Sequence, residues 1–164
     1  MAKNSFKGSA DKANVKGFFR LQINEDGKVV GDTGWKQNQI TNLGFDQYLC
    51  QGLAGMAGSK TVSYAMIGTG TVPGAAATSL DGELTDVAAM RCAVTPTTIN
   101  SKTVQFAFTL NSNVVTAAKT IQNVGLINHS STATAGTIFA GGTYTTSALA
   151  TNQAIHGSYQ IRMG

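Results

Sequence analysis

The chain has little charge. Asp, Glu, Lys and Arg together make up 12% of 164 residues, about half the usual share of a globular protein. Its polar surface must therefore come from Thr, Ser, Asn, Gln and Gly. A sparsely charged, Thr-rich surface suits a protein packed against neighbours, although a secreted adhesin or a sugar-binding module has a similar composition. Histidine is equally scarce, with only His129 and His156. The Ser130 neighbouring His129 does not make a nucleophile–base pair, because adjacent side chains rarely point at each other. His156 falls on the polar face of a strand. The two cysteines, Cys50 and Cys92, are too few and too far apart for a disulfide framework. Both are expected to be buried free thiols, in keeping with assembly in a reducing cytosol. Zinc needs three or four converging His, Cys or carboxylate ligands, and these residues are scattered singly. No cofactor or metal is expected. Asp81, Glu83 and Asp86 lack calcium-loop spacing and are expected to be surface carboxylates. Aromatics are 7% and no cluster of them alternates with Arg or Lys as a stacking platform would. No apolar run approaches a membrane span, and the first residues lack the apolar core of a signal peptide. These features argue against an enzyme and against nucleic-acid or membrane binding by the folded body.

What charge exists is unevenly placed. Residues 1–20 contain Lys3, Lys7, Lys12, Lys16 and Arg20 against Asp11 alone, five minus one or +4. From residue 21 onward seven basic and seven acidic residues cancel. Residues 1–14 are polar, small and basic, and are expected to form an extended arm before a single domain over 15–164. Lys3, Lys7, Lys12, Lys16 and Arg20 are the candidate partner-binding residues. Such a field attracts acidic protein surface or nucleic acid.

Period-two alternation dominates the rest. Val15, Gly17, Phe19, Leu21 and Ile23 face one way, and Lys16, Phe18, Arg20 and Gln22 the other, which marks a half-buried strand. Asp26-Gly27 then supplies a tight hairpin turn. Val104, Phe106, Phe108 and Leu110 repeat the pattern, as do Ile155, Tyr159, Ile161 and Met163 with Gly157. Further strands are expected over 28–32, 62–69, 90–98, 120–127 and 137–144. The spacing predicts one helix over about 43–54, with Asn42 as N-cap and Phe45, Leu49 and Leu53 as an apolar stripe packed on a sheet. Residues 79–86 are read as a short helical turn. About eight strands, one inserted helix and no strand–helix alternation describe an all-β protein. The expected fold is an antiparallel β-sandwich, jelly-roll-like.

One set of motifs is familiar. Met66-Ile67-Gly68-Thr69-Gly70-Thr71-Val72-Pro73 is followed by Thr78, Leu80 and Glu83. It resembles the "IGTGT-x-P" strand exit and "T-x-L-x-x-E" turn of small virion structural proteins of tailed bacteriophages. Val104-Gln105-Phe106-Ala107-Phe108 resembles an alternating strand of the same proteins. Ile121 to Asn128 and then Gly136 to Ala140 resemble their "I-x-E-x-G-L-F/I-N … G-x-M-F-A" pair, with Asn123 where an acid is common and Ile138 where Met is common. The resemblance spans roughly Val62 to Ile161 and implies a β-sandwich of the virion without an active site. It covers head decoration (cement) proteins, tail or neck components and fibre-attachment or receptor-binding domains. The short chain and the arm favour a cement protein that grips the major capsid protein or other virion proteins. It would act as a homo-oligomer, most simply a trimer. A jelly-roll shell protein whose arm binds nucleic acid is the remaining alternative.

Overall fold

The computed structural model describes residues 14–86, 90–131 and 135–164. The expected arm, with Lys3, Lys7 and Lys12, lies outside these residues apart from Asn14. Eleven strands form two antiparallel sheets: β1 (Val15–Glu25), β2 (Lys28–Asp32), β3 (Lys36–Gln37), β4 (Gln39–Ile40), β5 (Tyr64–Gly68), β6 (Cys92–Ala93), β7 (Thr95–Asn100), β8 (Thr103–Leu110), β9 (Lys119–Ile127), β10 (Ile138–Leu149) and β11 (Ala154–Met163). Eight of these have five residues or more, and the other three have two. The first sheet runs β2-β1-β11-β8-β7, with β3 also on β1, and the second runs β4-β10-β9-β5-β6. The chain is thus an all-β sandwich with one short helical insertion.

The local reasons are readable in the residues. β1 buries Phe19, Leu21 and Ile23 and leaves Lys16 exposed, as its alternation requires. At the β1–β2 turn Asp26 has φ 48° and Gly27 φ 76°, the positive pair of a type I′ hairpin. The chain changes sheet through one residue, Asn38, because β3 pairs with Phe18 and Phe19 while β4 pairs with Ala140 and Gly141. Phe19 stacks on Tyr159 at 6.1 Å and meets Tyr144 edge-on at 6.0 Å. With Leu21, Ile121, Leu126, Leu149, Ile155 and Ile161 these rings form the interior between the sheets. A second small cluster of Met66, Leu80, Ile127 and Ile138 lies apart from it.

Three expectations need correction. The helical segment is a π-helix over Gly44–Cys50 continued by one α-turn, Gln51–Leu53. Wider winding breaks up the apolar stripe: Leu49 stays half-buried against the core, while Phe45 and Leu53 turn outward. Tyr48 and Gly44 are buried, whereas Phe45 is 41% and Leu53 93% exposed. A Cβ on Gly44 would run into the Phe139 carbonyl, so the segment's close approach depends on glycine there. The start is held by Thr41, not Asn42: Thr41 Oγ1 accepts from Gly44 N at 2.9 Å and donates to Ile138 O at 2.9 Å. Next, Cys92 is buried but Cys50 is exposed on the outer side of the π-helix. Finally, residues 79–86 form turns with an isolated bridge from Gly68 to Glu83, and no helix. Backbone pairing with the end of β5 outcompetes the helical turn.

Candidate interaction surface

The chain enters and leaves the sandwich at one end. Asn14 and Gly164 exchange backbone hydrogen bonds of 2.7 and 2.9 Å, and Met163 N donates to Lys102 O at 2.8 Å. The β7–β8 turn therefore lies beside both termini of the described fold. β1 and β11 pair so that Lys16 stands directly opposite Arg162. Like charges facing each other across a ladder oppose folding. Lys16, Lys102 and Arg162 are all exposed. Three ion pairs exist among the described residues, and none includes these cations. Arg162 is held by other means: its guanidinium carbon lies 4.5 Å from the centre of the Phe18 ring, and Nη2 donates to Gln160 Oε1 at 2.8 Å. Gln160 in turn donates to Gln105 at 2.8 Å. The result is a positive pole with a fixed guanidinium. It edges a shallow depression of about 380 Å³ lined by Asn14, Lys16, Phe18, Arg162, Met163 and Gly164.

The candidate residues thus separate. Lys16 sits at this pole. Arg20 belongs to the interior of β1, where its Nε donates to both carboxylate oxygens of Asp32 at 3.0 and 3.1 Å. The hydrogen bond and the charge of Asp32 raise the Arg20 pKa, and the hydrogen bond from Arg20 is the main reason Asp32 is held far below the ordinary carboxylate range. Arg20 is a neutralised cation in the sheet. The charge division shifts accordingly: residues 1–13 carry three Lys and one Asp, or +2, and residues 14–164 carry nine basic and seven acidic residues, also +2. Arg162 and Lys102, which sequence reasoning missed, complete the pole.

The motif residues hold loops in place. Asn123 Nδ2 donates to Thr71 O at 3.0 Å and Asp81 O at 2.8 Å. Asp81 Oδ2 accepts from Thr71 N at 2.8 Å and Thr71 Oγ1 at 3.0 Å, which lowers its pKa. Glu83 and Asp86 are not free surface carboxylates. Glu83 takes Arg91 in a two-point pair at 2.6 and 3.0 Å, with side chains 12% and 3% exposed. Arg91 Nη1 also donates to His129 O and Ala135 O. Asp86 accepts from Thr116 Oγ1 at 2.7 Å and pairs with Lys119 at 3.0 Å.

The histidines take structural roles. His129 Nδ1 accepts from Ser131 N at 3.1 Å, and His156 meets Thr109 Oγ1 at 3.1 Å on the outer face of the first sheet. Among the described residues no three His, Cys, Asp or Glu side chains converge as a metal site, and no helix is long and apolar enough to cross a membrane. Beside the basic pole the sandwich interior opens as an apolar mouth of about 330 Å³ between the π-helix and the ends of β8 and β11. Comparison of the chain with protein-family models, curated proteins and solved structures finds no match.

Proposed function

We propose that this chain is a bacteriophage virion structural protein that works through protein–protein contact, most simply as a capsid decoration (cement) protein. The virion assignment rests on the motif resemblance. The mode of docking rests on one observation: Lys16 and Arg162 face each other without a carboxylate, where the chain enters the fold. A fold bears such repulsion when a partner supplies the counter-charge. Lys16, Lys102 and Arg162 give this end of the fold its positive charge, so an acidic surface on the major capsid protein is the fitting partner. A trimer around a capsid symmetry axis would multiply a modest contact by avidity. The protein needs no cofactor and carries out no reaction in this role.

Gold-labelled antibody against the chain, applied to intact particles of the phage that encodes it, tests the proposal. Label over the head at regular density is the expected result. Label confined to the tail or neck replaces the cement role by a tail or receptor-binding one, and particles without label sink the virion assignment.

A further inference from the structure

The apolar mouth beside the basic pole lies where the chain again changes sheet through one residue. β6 pairs with β5 in the second sheet, β7 pairs with β8 in the first, and Val94 alone joins them. Beyond Val94 the interior opens. Burial falls along the inward row of β8, from Leu110 and Phe108 to the half-buried Phe106 and Val104. Pro96 and Thr98 stand opposite Phe106 and Val104 in the register, so they belong to the same inward row, yet both are exposed. Leu49, Val62, Ile161 and Met163 complete the walls. Tyr48 closes the back, fixed by donating its hydroxyl hydrogen to Thr137 O.

Charge selects the occupant. Lys60 stands on the rim, and Met163 lines both the mouth and the depression of the basic pole. Lys16, Lys60, Lys102 and Arg162 therefore border one continuous surface. None of them belongs to an ion pair among the described residues, and no Asp or Glu side chain lines either depression. We infer that mouth and pole together bind an acidic segment of a protein partner. The segment seats a large apolar side chain between Val62, Val104 and Met163 and lays its carboxylates on the surrounding cations. At about 330 Å³ the cavity is near the lower end of the roughly 300–1,000 Å³ of small-molecule pockets, which suits a seated side chain better than a larger ligand. The inference rests on the docking reading of the pole given above and not on the virion assignment.

Magnitudes divide the work between the two parts of the surface. Burying one large apolar side chain strengthens binding roughly ten- to a hundredfold. An exposed ion pair adds about one- to fivefold, and less in salt. The mouth therefore supplies most of the affinity, while the cations choose an acidic segment over a neutral or basic one and speed its docking. A second copy of the chain fits less well, because its net charge of +4 opposes approach to a basic surface.

Synthetic peptides titrated into the full chain test this. The first carries a Phe-Leu pair flanked on both sides by aspartates, the second has Ser-Ser in place of Phe-Leu, and the third has lysine in place of every aspartate. Fluorescence anisotropy of the labelled peptides reads affinity. The methyl resonance of Met163, assigned from a Met163→Leu protein, reads the seat. The first peptide should bind roughly tenfold or more tightly than either of the others, weaken as salt is raised, and alone move the Met163 resonance. Met163 is 49% exposed, so Met163→Lys should leave the circular dichroism unaltered. It should nonetheless cut the affinity about tenfold, although it adds a cation, and Val62→Lys should do the same. Equal affinity for the two acidic peptides with an unmoved Met163 resonance overturns the inference and leaves the docking pole standing. Binding of neither acidic peptide overturns both. Equal binding of the basic peptide overturns the inference, as does undiminished binding by both lysine variants. So does a Met163 resonance that shifts when the free protein is diluted, which gives the mouth to a second copy.

Discussion

Reversing the charge of Lys16 separates stability from docking. In the native ladder Lys16 and Arg162 are directly opposed, with Cβ atoms about 5 Å apart in such pairs. Two like charges about 6 Å apart in water repel by roughly 0.7 kcal/mol, and by more where the sheet excludes solvent. Lys16→Glu removes that repulsion and replaces it by attraction of similar size. The net gain is about 1 kcal/mol at low ionic strength, and Tm rises by roughly 2–4 °C for a chain of this length. Lys16→Gln removes only the repulsion and gives about half the rise. In 1 M salt, where the screening length is near 3 Å, both increments shrink to a small fraction. On the proposed docking, the same Lys16→Glu protein should bind the particle more weakly, because an acidic partner surface would then face a carboxylate. Calorimetry at two salt concentrations and a particle co-sedimentation assay read the two effects. A fall in Tm, or a rise indifferent to salt, refutes the electrostatic reasoning. Undiminished particle binding removes the pole from the docking surface.

Three further outcomes follow from groups away from the pole. Glu83→Gln leaves the 3%-exposed Arg91 cation without its carboxylate, a loss of about 3–5 kcal/mol, read by urea denaturation. Adding Arg91→Met should restore much of it, whereas a cost below about 1 kcal/mol for Glu83→Gln would contradict the burial argument. Acid should destabilise the protein, because Asp32, Asp81 and Asp86 are held below the ordinary carboxylate range chiefly by hydrogen bonds from Arg20, Thr71 and Thr116 respectively. A depressed folded-state pKa contributes stability that is complete above the unfolded value near 4 and drains away as pH falls towards the folded values. Tm should therefore drop below about pH 4, and an unchanged Tm at pH 3 argues against these contacts. Of the two thiols, exposed Cys50 should react at once with an aromatic disulfide reagent, while Cys92, whose burial pushes its pKa up to about 12, reacts only on unfolding. Two fast equivalents would show that the β6 edge opens.

The parts of the fold that could be read in advance are those where one face is buried and the other wet. β1 and β11 alternate cleanly because each crosses the middle of the first sheet, with the sandwich interior on one side only, and β8 does so over its last three residues. The second sheet was harder to read. The stretch Met66-Ile67-Gly68 is buried on both sides, since the turns of residues 79–86 tie back onto β5 and Leu80 joins Met66 in the small second cluster. Alternation carries little information where both faces are dry. β10 extends to Leu149, five residues beyond the expected Tyr144, because register irregularities between Ile138 and Ala140 and between Thr143 and Ser147 shift which residues face inward. The helical stripe departs from its expected packing for a geometric reason. Phe45, Leu49 and Leu53 share a face only at α-helical pitch, and Thr41 together with the tight approach of Gly44 to Phe139 sets a wider winding.

The candidate interaction surface shows the same limit more sharply. Lys16 and Arg20 lie four residues apart on the same face of one strand, and nothing in their immediate sequence distinguishes them. Their fates are decided by what lies alongside: Arg20 comes within reach of Asp32 from β2, whereas Lys16 is opposed by Arg162 from β11, 146 residues later in the chain. A count of basic residues treats both as arm charge. The ladder shows that one cation is used up inside the sheet, while the other is reinforced from the far end of the chain. Free positive charge thus gathers where the chain enters and leaves the fold, although the net charge of residues 14–164 is only +2. Residues that bind through charge must remain unpaired in the isolated fold, and that property belongs to strand register, not to composition.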